Sequence, residues 1–373
     1  MALIGRAGDF WRRWRNRLMG KPGFQNFATA FPLTRPISRK RSRELFNLIA
    51  GFTYSQTLVA VVELGLIERL QRKPASLEEL ARELGFKPNR LERLLKAATA
   101  LGLLETTSRG EYDLGIHGAA LTGNPWIAGF IRHHHLLYRD LLQPVDVVRG
   151  SAGLTALHSY WAYTEDRDGA ETAPDSVAAY TDLMGQSQTA VAREILAAYD
   201  FSRHQHLLDI GGSNGSFILA AAAKHADLRF TLFDLPAVGE IAHGRMVAAG
   251  IGGRVEVVGG SFLVDLLPGP VDIATLIRVL HDHDDEAVEA ILLAARRALS
   301  PGGVLLIAEP FSGDTSIAPM TDAYFGLYFA AMGQGKTRRL EEIRALAARA
   351  GFSSAQSLPT RNPLITGVLV LRI

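Results

Sequence analysis

Along the chain, apolar positions recur first at helical spacing and later in short runs of strand length. Helices are expected over 45–70, from the capping-box pattern Ser76-Leu77-Glu78-Glu79 to Leu84, and over 90–101 after Pro88 and Asn89. The runs 103–107 and 112–114 flank the turn Ser108-Arg109-Gly110 as a small hairpin. Three helices and a hairpin predict a winged helix. Residues 125–200 read as helical. From His206 onward strands alternate with helices, at 206–210, 229–233, 254–258, 271–277 and 302–308. Two further runs, 354–358 and 365–371, follow a helix at 340–350, and their short link predicts an antiparallel end to the sheet. The fold class is α/β, a doubly wound and mostly parallel sheet of seven strands behind a helical domain.

The first strand of that sheet runs into Leu207-Leu208-Asp209-Ile210-Gly211-Gly212-Ser213-Asn214-Gly215, and the second ends in Phe233-Asp234-Leu235-Pro236. Glycines let such a turn take positive φ and let a ligand approach the backbone, in the crevice where doubly wound sheets bind cofactors. An acid at Asp234 can accept both ribose hydroxyls of an adenosine. Glycines at 211, 212 and 215 do not make the G-x-G-x-x-G of a dinucleotide site, which argues against NAD and FAD. The spacing D-x-G-G-x-x-G, with F-D-L-P one βα unit later, resembles the S-adenosylmethionine site of class I methyltransferases.

Methyl transfer from a sulfonium needs an aligned acceptor and a base for its proton. After the fourth strand stands Arg278-Val279-Leu280-His281-Asp282-His283-Asp284-Asp285-Glu286. His281 is the first candidate base, because imidazole titrates near neutrality; His283 is its competitor. Metal binding by His281, Asp282, His283 and Asp284 is the alternative chemistry, while Asp284 to Glu286 also suit an ordinary helix N-terminus. Glu309, at the end of the fifth strand, can orient an imidazole, contact a substrate or cap the strand. His133, His134 and His135 point different ways around a helix and cannot converge on a metal, so no metal is expected.

With 373 residues, 47% of them hydrophobic and 21% charged, the chain suits two globular domains or one large one. Cysteine is absent, which excludes disulfides and thiolate chemistry. No cleavable signal peptide and no apolar run long enough to span a bilayer is read, so a cytoplasmic protein is expected. The net charge of +2 hides an asymmetry: residues 1–44 hold eleven Lys and Arg against Asp9 and Glu44, a net of +9, which leaves −7 for the rest. On a helical wheel Phe10, Trp11, Trp14 and Leu18 fall within an arc of about 100°, with Arg12, Arg13, Arg15 and Arg17 on the other sides. Such a helix can lie on an anionic membrane surface or pack on a partner subunit. Nucleic acid is disfavoured by the acidic remainder and by the candidate recognition helix, where Arg90 to Lys96 mix charge signs and offer no Asn or Gln pair for base edges.

Taken together, residues 45–373 resemble the bacterial and plant O-methyltransferases that join a winged-helix dimerisation domain to an S-adenosylmethionine domain. The resemblance implies a homodimer and divides the chain into a basic arm (1–44), a winged-helix dimerisation domain (45–122), a helical linker lining the substrate site (123–200) and a catalytic domain (201–373). It places Asp209, Gly211, Gly212, Gly215, Asp234, Ser261, Phe262 and Arg278 at the cofactor, His281 with Asp282 and Glu309 at the reaction, and Met184 beside the acceptor. Two departures each remove an acid: Gly260-Ser261-Phe262 stands where the family commonly has Gly-Asp-Phe, and Gly335-Lys336-Thr337 where it commonly has Gly-Lys-Glu. The second leaves His281 to lean on Glu309 alone. His283 occupies a tryptophan position of the family pattern and is read as a packing residue.

The N-terminal Trp14-Arg15-Asn16-Arg17-Leu18 and Pro22-Gly23-Phe24-Gln25, with Leu48-Ile49-Ala50-Gly51-Phe52 and Ser55-Gln56, further resemble the carotenoid 1-hydroxyl (demethylspheroidene, or hydroxyneurosporene) methyltransferases of purple photosynthetic bacteria. That resemblance implies an acyclic hydroxycarotenoid acceptor, a membrane-resident molecule. It gives the arm at 10–19 a purpose, on the cytoplasmic face of the photosynthetic membrane. A bacteriochlorophyll-type ring carbon, or a phenol such as a quinone, is the alternative acceptor. A non-catalytic S-adenosylmethionine-binding scaffold or regulator is the alternative class.

Overall fold

A computed structural model of the chain describes residues 2–161, 188–313 and 318–373. It divides into two compact units, Met1–Gly123 and Asn124–Ile373.

The first unit opens with three helices, α1 (Ala2–Met19), α2 (Pro22–Ala30) and α3 (Arg35–Glu63). Both α2 and α3 carry proline in the first turn, where a missing N–H leaves no hydrogen bond unmade. Two expectations change here. The charge boundary at residue 44 is not a structural one, because α3 runs straight through it. Moreover, α3 is long and apolar enough to cross a membrane, with an 18-residue stretch of mean hydropathy 1.5. The sequence reading passed over it because Asn47, Thr53, Ser55, Gln56 and Thr57 interrupt the apolar run. After α3, Gly65 at φ +64° turns the chain into α4 (Leu66–Leu70).

The segment α5 (Leu77–Leu84) is capped by Ser76, whose Oγ accepts the Glu79 N–H at 3.1 Å. The reciprocal half of a capping box is replaced: the Glu79 carboxylate pairs with Arg69 at 3.3 Å and Lys73 at 3.1 Å. Next come α6 (Pro88–Ala100), the antiparallel hairpin of β1 (Leu104–Thr106) and β2 (Tyr112–Leu114), and α7 (Ile116–Thr122). Leu66, Leu70, Leu80, Leu91 and Leu95 are buried together beneath the hairpin strand that carries Leu104.

The second unit begins with α8 (Pro125–Asp140), α9 (Pro144–Arg149), α10 (Ala156–Trp161) and a helix over 188–198, α11. Residues Tyr180 to Met184, and with them the acceptor residue expected at Met184, lie outside the described residues. The strands and helices then alternate as β3 (His206–Ile210), α12 (Ser216–Lys224), β4 (Arg229–Asp234), α13 (Pro236–Ala248), β5 (Val255–Gly259), β6 (Val271–Ile277), α14 (Asp285–Ala298) and β7 (Leu299–Glu309). They are followed by α15 (Ala318–Met332), α16 (Leu340–Arg349), β8 (Ser354–Leu358) and β9 (Gly367–Arg372).

The sheet has the order β5-β4-β3-β6-β7-β9-β8, parallel through β7, with β9 antiparallel to both β7 and β8. The expected seven strands and antiparallel end are present. The seventh begins at Gly367 rather than 365, because Thr360 Oγ1 donates to the Thr366 carbonyl and Thr366 N–H to that of Asn362, closing a turn. Helices cover both faces, so neighbouring residues are buried in opposite directions. Leu208, Leu276 and Leu305 face α14 and α16, while Leu207, Ile273 and Leu306 face α11 and α12. This is why the strands read as continuous apolar runs rather than alternating ones. Strand order reverses between β3 and β6, and their carboxyl ends form the crevice where such sheets collect ligands.

Candidate active site

The loop after β3 needs its glycines for its own geometry. Gly215 has φ +73°, and a Cβ there would come within 2.2 Å of Met246 Cε. At Gly211, with φ +69°, a Cβ would meet Val279 at 2.8 Å and Phe262 Cε1 at 3.6 Å, so Phe262 lies against the loop. Gly212 backs on Leu232 and the Asp209 carboxylate. Asp209 Oδ1 accepts the Thr275 hydroxyl at 2.6 Å, tying β3 to β6 below the crevice. Burial pushes the Asp209 pKa up to about 7, against the Thr275 bond and with the neighbouring Asp234 charge.

Asp234 stands one strand over. Its Oδ2 accepts the Ser213 N–H at 2.7 Å and its Oδ1 the Leu235 N–H at 2.8 Å. Burial pushes it up to about 6, and these two bonds oppose the shift. A carboxylate held by backbone donors keeps lone pairs for two hydroxyls, and the Ser213 hydroxyl beside it is buried with no hydrogen-bond partner. Acid, glycine rim and unpartnered hydroxyl together fit an adenosine.

Ser261 is buried, but it serves the turn: its N–H donates to Asp265 Oδ2 at 2.8 Å. Arg278 leaves β6 at φ +58°, a left-handed backbone unusual outside glycine, with its N–H on the Ala308 carbonyl at 2.9 Å.

His281 sits in the short turn Leu280–Asp282 that follows, buried with Asp282 and His283. Its Nε2 lies 3.2 Å from Asp282 Oδ1. Its Nδ1 lies 3.8 Å from Glu309 Oε1 and has no hydrogen-bond partner. The expectation that His281 leans on Glu309 alone is therefore corrected. Glu309 spends Oε1 on the backbone, accepting the N–H groups of Val279 at 3.1 Å, of Leu280, and of His281 at 3.2 Å. It holds the loop, and Asp282 is the carboxylate that engages the ring. Burial disfavours the imidazolium, but the Asp282 charge and bond, aided by Glu309, outweigh it and raise the His281 pKa above its usual value.

A residue that sequence reasoning missed completes the clasp. Arg338 is 2% exposed and donates to the Leu280 carbonyl at 2.8 Å, the His283 carbonyl at 2.6 Å and Asp285 Oδ1 at 2.8 Å. Beside it the Lys336 N–H donates to the His281 carbonyl at 2.9 Å, and Gly335, at φ +82°, leaves no room for a Cβ against that same oxygen. Thr337 lines a groove of about 530 Å³ with Phe325 and Phe329. His283 packs edge-on against Phe262, ring centroids 5.4 Å apart.

An aromatic wall faces His281. The stacked rings of Phe325 and Phe329 on α15 lie 6.4 and 5.7 Å from the His281 ring. Behind them, the Tyr328 hydroxyl meets His133 Nε2 at 2.9 Å and the Tyr324 hydroxyl meets His134 Nε2 at 2.8 Å, joining α15 to α8. His135 points away to the Arg132 carbonyl. Burial lowers His133 to about 4 and also lowers His134, so both rings are neutral at pH 7. The signal for this wall was the helical spacing of Tyr324, Phe325, Tyr328 and Phe329. Among the described residues, no group of three or more His, Asp or Glu side chains is placed to hold a metal ion.

Residues 158–353 match the O-methyltransferase domain and residues 46–120 the O-methyltransferase dimerisation domain, which supports a homodimer. The chain is 38% identical to the demethylspheroidene O-methyltransferase of Cereibacter sphaeroides over 353 residues, 95% of this chain and 93% of that one. Identity to the enzyme of that name from Rhodobacter capsulatus is 36%, over 91% and 84% of the two chains. Among solved structures, the mitomycin 7-O-methyltransferase MmcR superposes with a TM-score of 0.74 at 26% identity, over 91% of this chain and 100% of the other. Human N-acetylserotonin methyltransferase, solved in complex with SAM, shares the fold with a TM-score of 0.73 at 23% identity, over 89% and 97% of the chains. Matched across both units, the chain belongs to the S-adenosylmethionine-dependent O-methyltransferase family.

Proposed function

We propose that this enzyme methylates the terminal 1-hydroxyl of an acyclic hydroxycarotenoid in carotenoid biosynthesis. The observation that carries the reading is the likeness to two demethylspheroidene O-methyltransferases over 95% and 91% of this chain. The apolar rings of Phe325 and Phe329 beside His281 support an acceptor of this kind.

Asp234 would accept the ribose hydroxyls of S-adenosylmethionine, Gly211, Gly212 and Gly215 would let it meet bare backbone, Asp209 braces the loop from below, and Phe262 and Arg278, with Ser261 in the turn that carries Phe262, would close the cofactor side. S-adenosylmethionine supplies an electrophilic methyl group when bound. A tertiary alcohol is a far weaker acid than imidazolium, so its proton leaves as the new oxygen–carbon bond forms, and His281 receives it. Asp282 steadies the resulting imidazolium, Glu309 and Arg338 fix the loop that carries it, and the aromatic wall excludes water.

The acceptor resides in a bilayer, and the enzyme works as a peripheral protein on the cytoplasmic face of the photosynthetic membrane. The exposed Phe10, Trp11 and Trp14 between arginines on α1 support this. The test is transfer of labelled methyl from S-adenosylmethionine to a 1-hydroxylated acyclic carotenoid in detergent, with product mass and methyl position determined. A 1-methoxy carotenoid is expected. Transfer only to a bacteriochlorophyll precursor or a phenolic quinone, or cofactor binding without transfer to any of these, overturns the carotenoid reading.

A further inference from the structure

Where α2 turns into α3, a groove of about 680 Å³ is lined by Arg35, Arg39 and Arg43, one helical turn apart on α3, and by the hydroxyls of Thr29, Ser38 and Ser42. Arg35 frames it, donating to the Thr29 and Ala30 carbonyls at 3.3 and 2.8 Å, and the Thr29 and Ser38 hydroxyls meet across the corner at 3.0 Å. No carboxylate lines the groove. The one acid nearby on the helix, Glu44, pairs with Arg41 on another face at 2.9 Å. The guanidinium forks of Arg39 and Arg43, with no carboxylate beside them, make a receptor for phosphate oxygens.

The surroundings say where that phosphate resides. Phe27 and Phe31 stack at 5.4 Å, and Leu33 and Ile37 are 79% and 62% exposed, so the corner that bears the groove also presents apolar side chains to solvent. Free phosphate has no use for such a surface; a lipid headgroup lies beside acyl chains. A second copy docked two-fold on this corner would set arginine against arginine, since an isologous interface pairs a patch with itself. An anionic bilayer complements the net +9 of residues 1–44. We infer that the α2–α3 corner is a docking site for the phosphate of an anionic membrane lipid, held by Arg39 and Arg43 with the exposed apolar side chains of the corner in the headgroup region. The inference rests on the membrane-resident acceptor proposed above, and it adds a specific lipid site to the arm.

The experiment is flotation of the full chain with phosphatidylglycerol–phosphatidylcholine vesicles and with phosphatidylcholine vesicles alone, no carotenoid present. Diffuse attraction of ~1 kcal/mol per basic side chain makes the loss of any two charges about thirty-fold in partition into the anionic vesicles. The charge-matched Lys40→Gln/Arg41→Gln should lose about that much, and Arg39→Gln/Arg43→Gln several-fold more. Equal losses from the two pairs reduce the groove to diffuse attraction and overturn the site, as does a parent chain that ignores anionic vesicles. Tight binding of inorganic phosphate without vesicle partition overturns the lipid assignment. Conversion of dimer to monomer by Arg39→Gln/Arg43→Gln in ultracentrifugation assigns the corner to a second copy instead. Methyl transfer to detergent-dispersed carotenoid should stay at the parental level in that variant, so failure of the lipid site is distinguishable from failure of the carotenoid reading.

Discussion

The two halves of the site are built by different means. The cofactor half is local: Asp209, three glycines and Asp234 fall within 26 residues, at the ends of adjacent strands, and their partners are mostly backbone groups of the same loops. The acceptor half is convergent. It draws His281 from the loop after β6, Glu309 from the end of β7, Arg338 from the segment before α16, and its aromatic wall from α15 backed by α8. Local construction leaves a spacing that can be read; convergence leaves single residues whose meaning depends on what arrives beside them.

If the halves are as separate as they look, variants should sort cleanly between cofactor binding and turnover. The largest effect is expected from His281→Ala, a loss of about 10²–10⁴ in kcat with S-adenosylhomocysteine affinity retained, read by single-turnover kinetics and calorimetry. Unchanged turnover would remove His281 from the mechanism. Arg338→Met orphans the buried His283 carbonyl, at a cost of about 1–3 kcal/mol, leaves the Leu280 carbonyl with the His283 N–H alone, and should lower both kcat and the melting temperature. Arg338→Lys restores some charge but cannot make the fork. Its kcat should therefore recover less than its stability, and equal recovery of both would reduce Arg338 to a purely structural role.

The pH dependences should differ between the halves. His281 must be neutral to accept a proton, and its pKa is raised, so kcat should climb with pH through a midpoint above the usual histidine value and then level. Asp282→Asn removes the charge that raises it, burial then prevails, and the acid limb should move to lower pH. A limb that stays in place would mean that Asp282 does not tune the ring. Cofactor affinity should instead weaken as pH falls through about 6, where Asp234 takes a proton and its lone pairs are lost to the ribose hydroxyls. In Asp234→Asn the affinity should be lower and flat across that range. The smallest effect is expected from Tyr324→Phe, which releases His134. It should alter KM for the acceptor a few-fold and leave S-adenosylhomocysteine binding unchanged; a change in the latter would break the separation itself.

Much of the sheet could be read from the chain because apolar runs of strand length alternate with helical ones after His206, and two-faced burial makes those runs hard to miss. The glycine loop was legible because positive φ and missing Cβ space are demands on residue type at a fixed position, as at Gly215 against Met246. Asp282 as the ring's carboxylate, and Glu309 as the holder of three backbone N–H groups, were not, since carboxylate type and proximity in sequence do not say which acid an imidazole turns toward.

Period, residue type and local spacing by themselves determined the doubly wound sheet, the loop after β3 and the histidine after β6. The tertiary structure alone decided that Arg338 clasps the loop that carries it, that His133 and His134 brace an aromatic wall, and that three arginines open onto one groove at the α2–α3 corner. The physical reason is range. Backbone conformation and hydrophobic period act over a few residues and leave a pattern in the chain, whereas a hydrogen bond between Arg338 and Leu280 joins atoms 58 residues apart and leaves none.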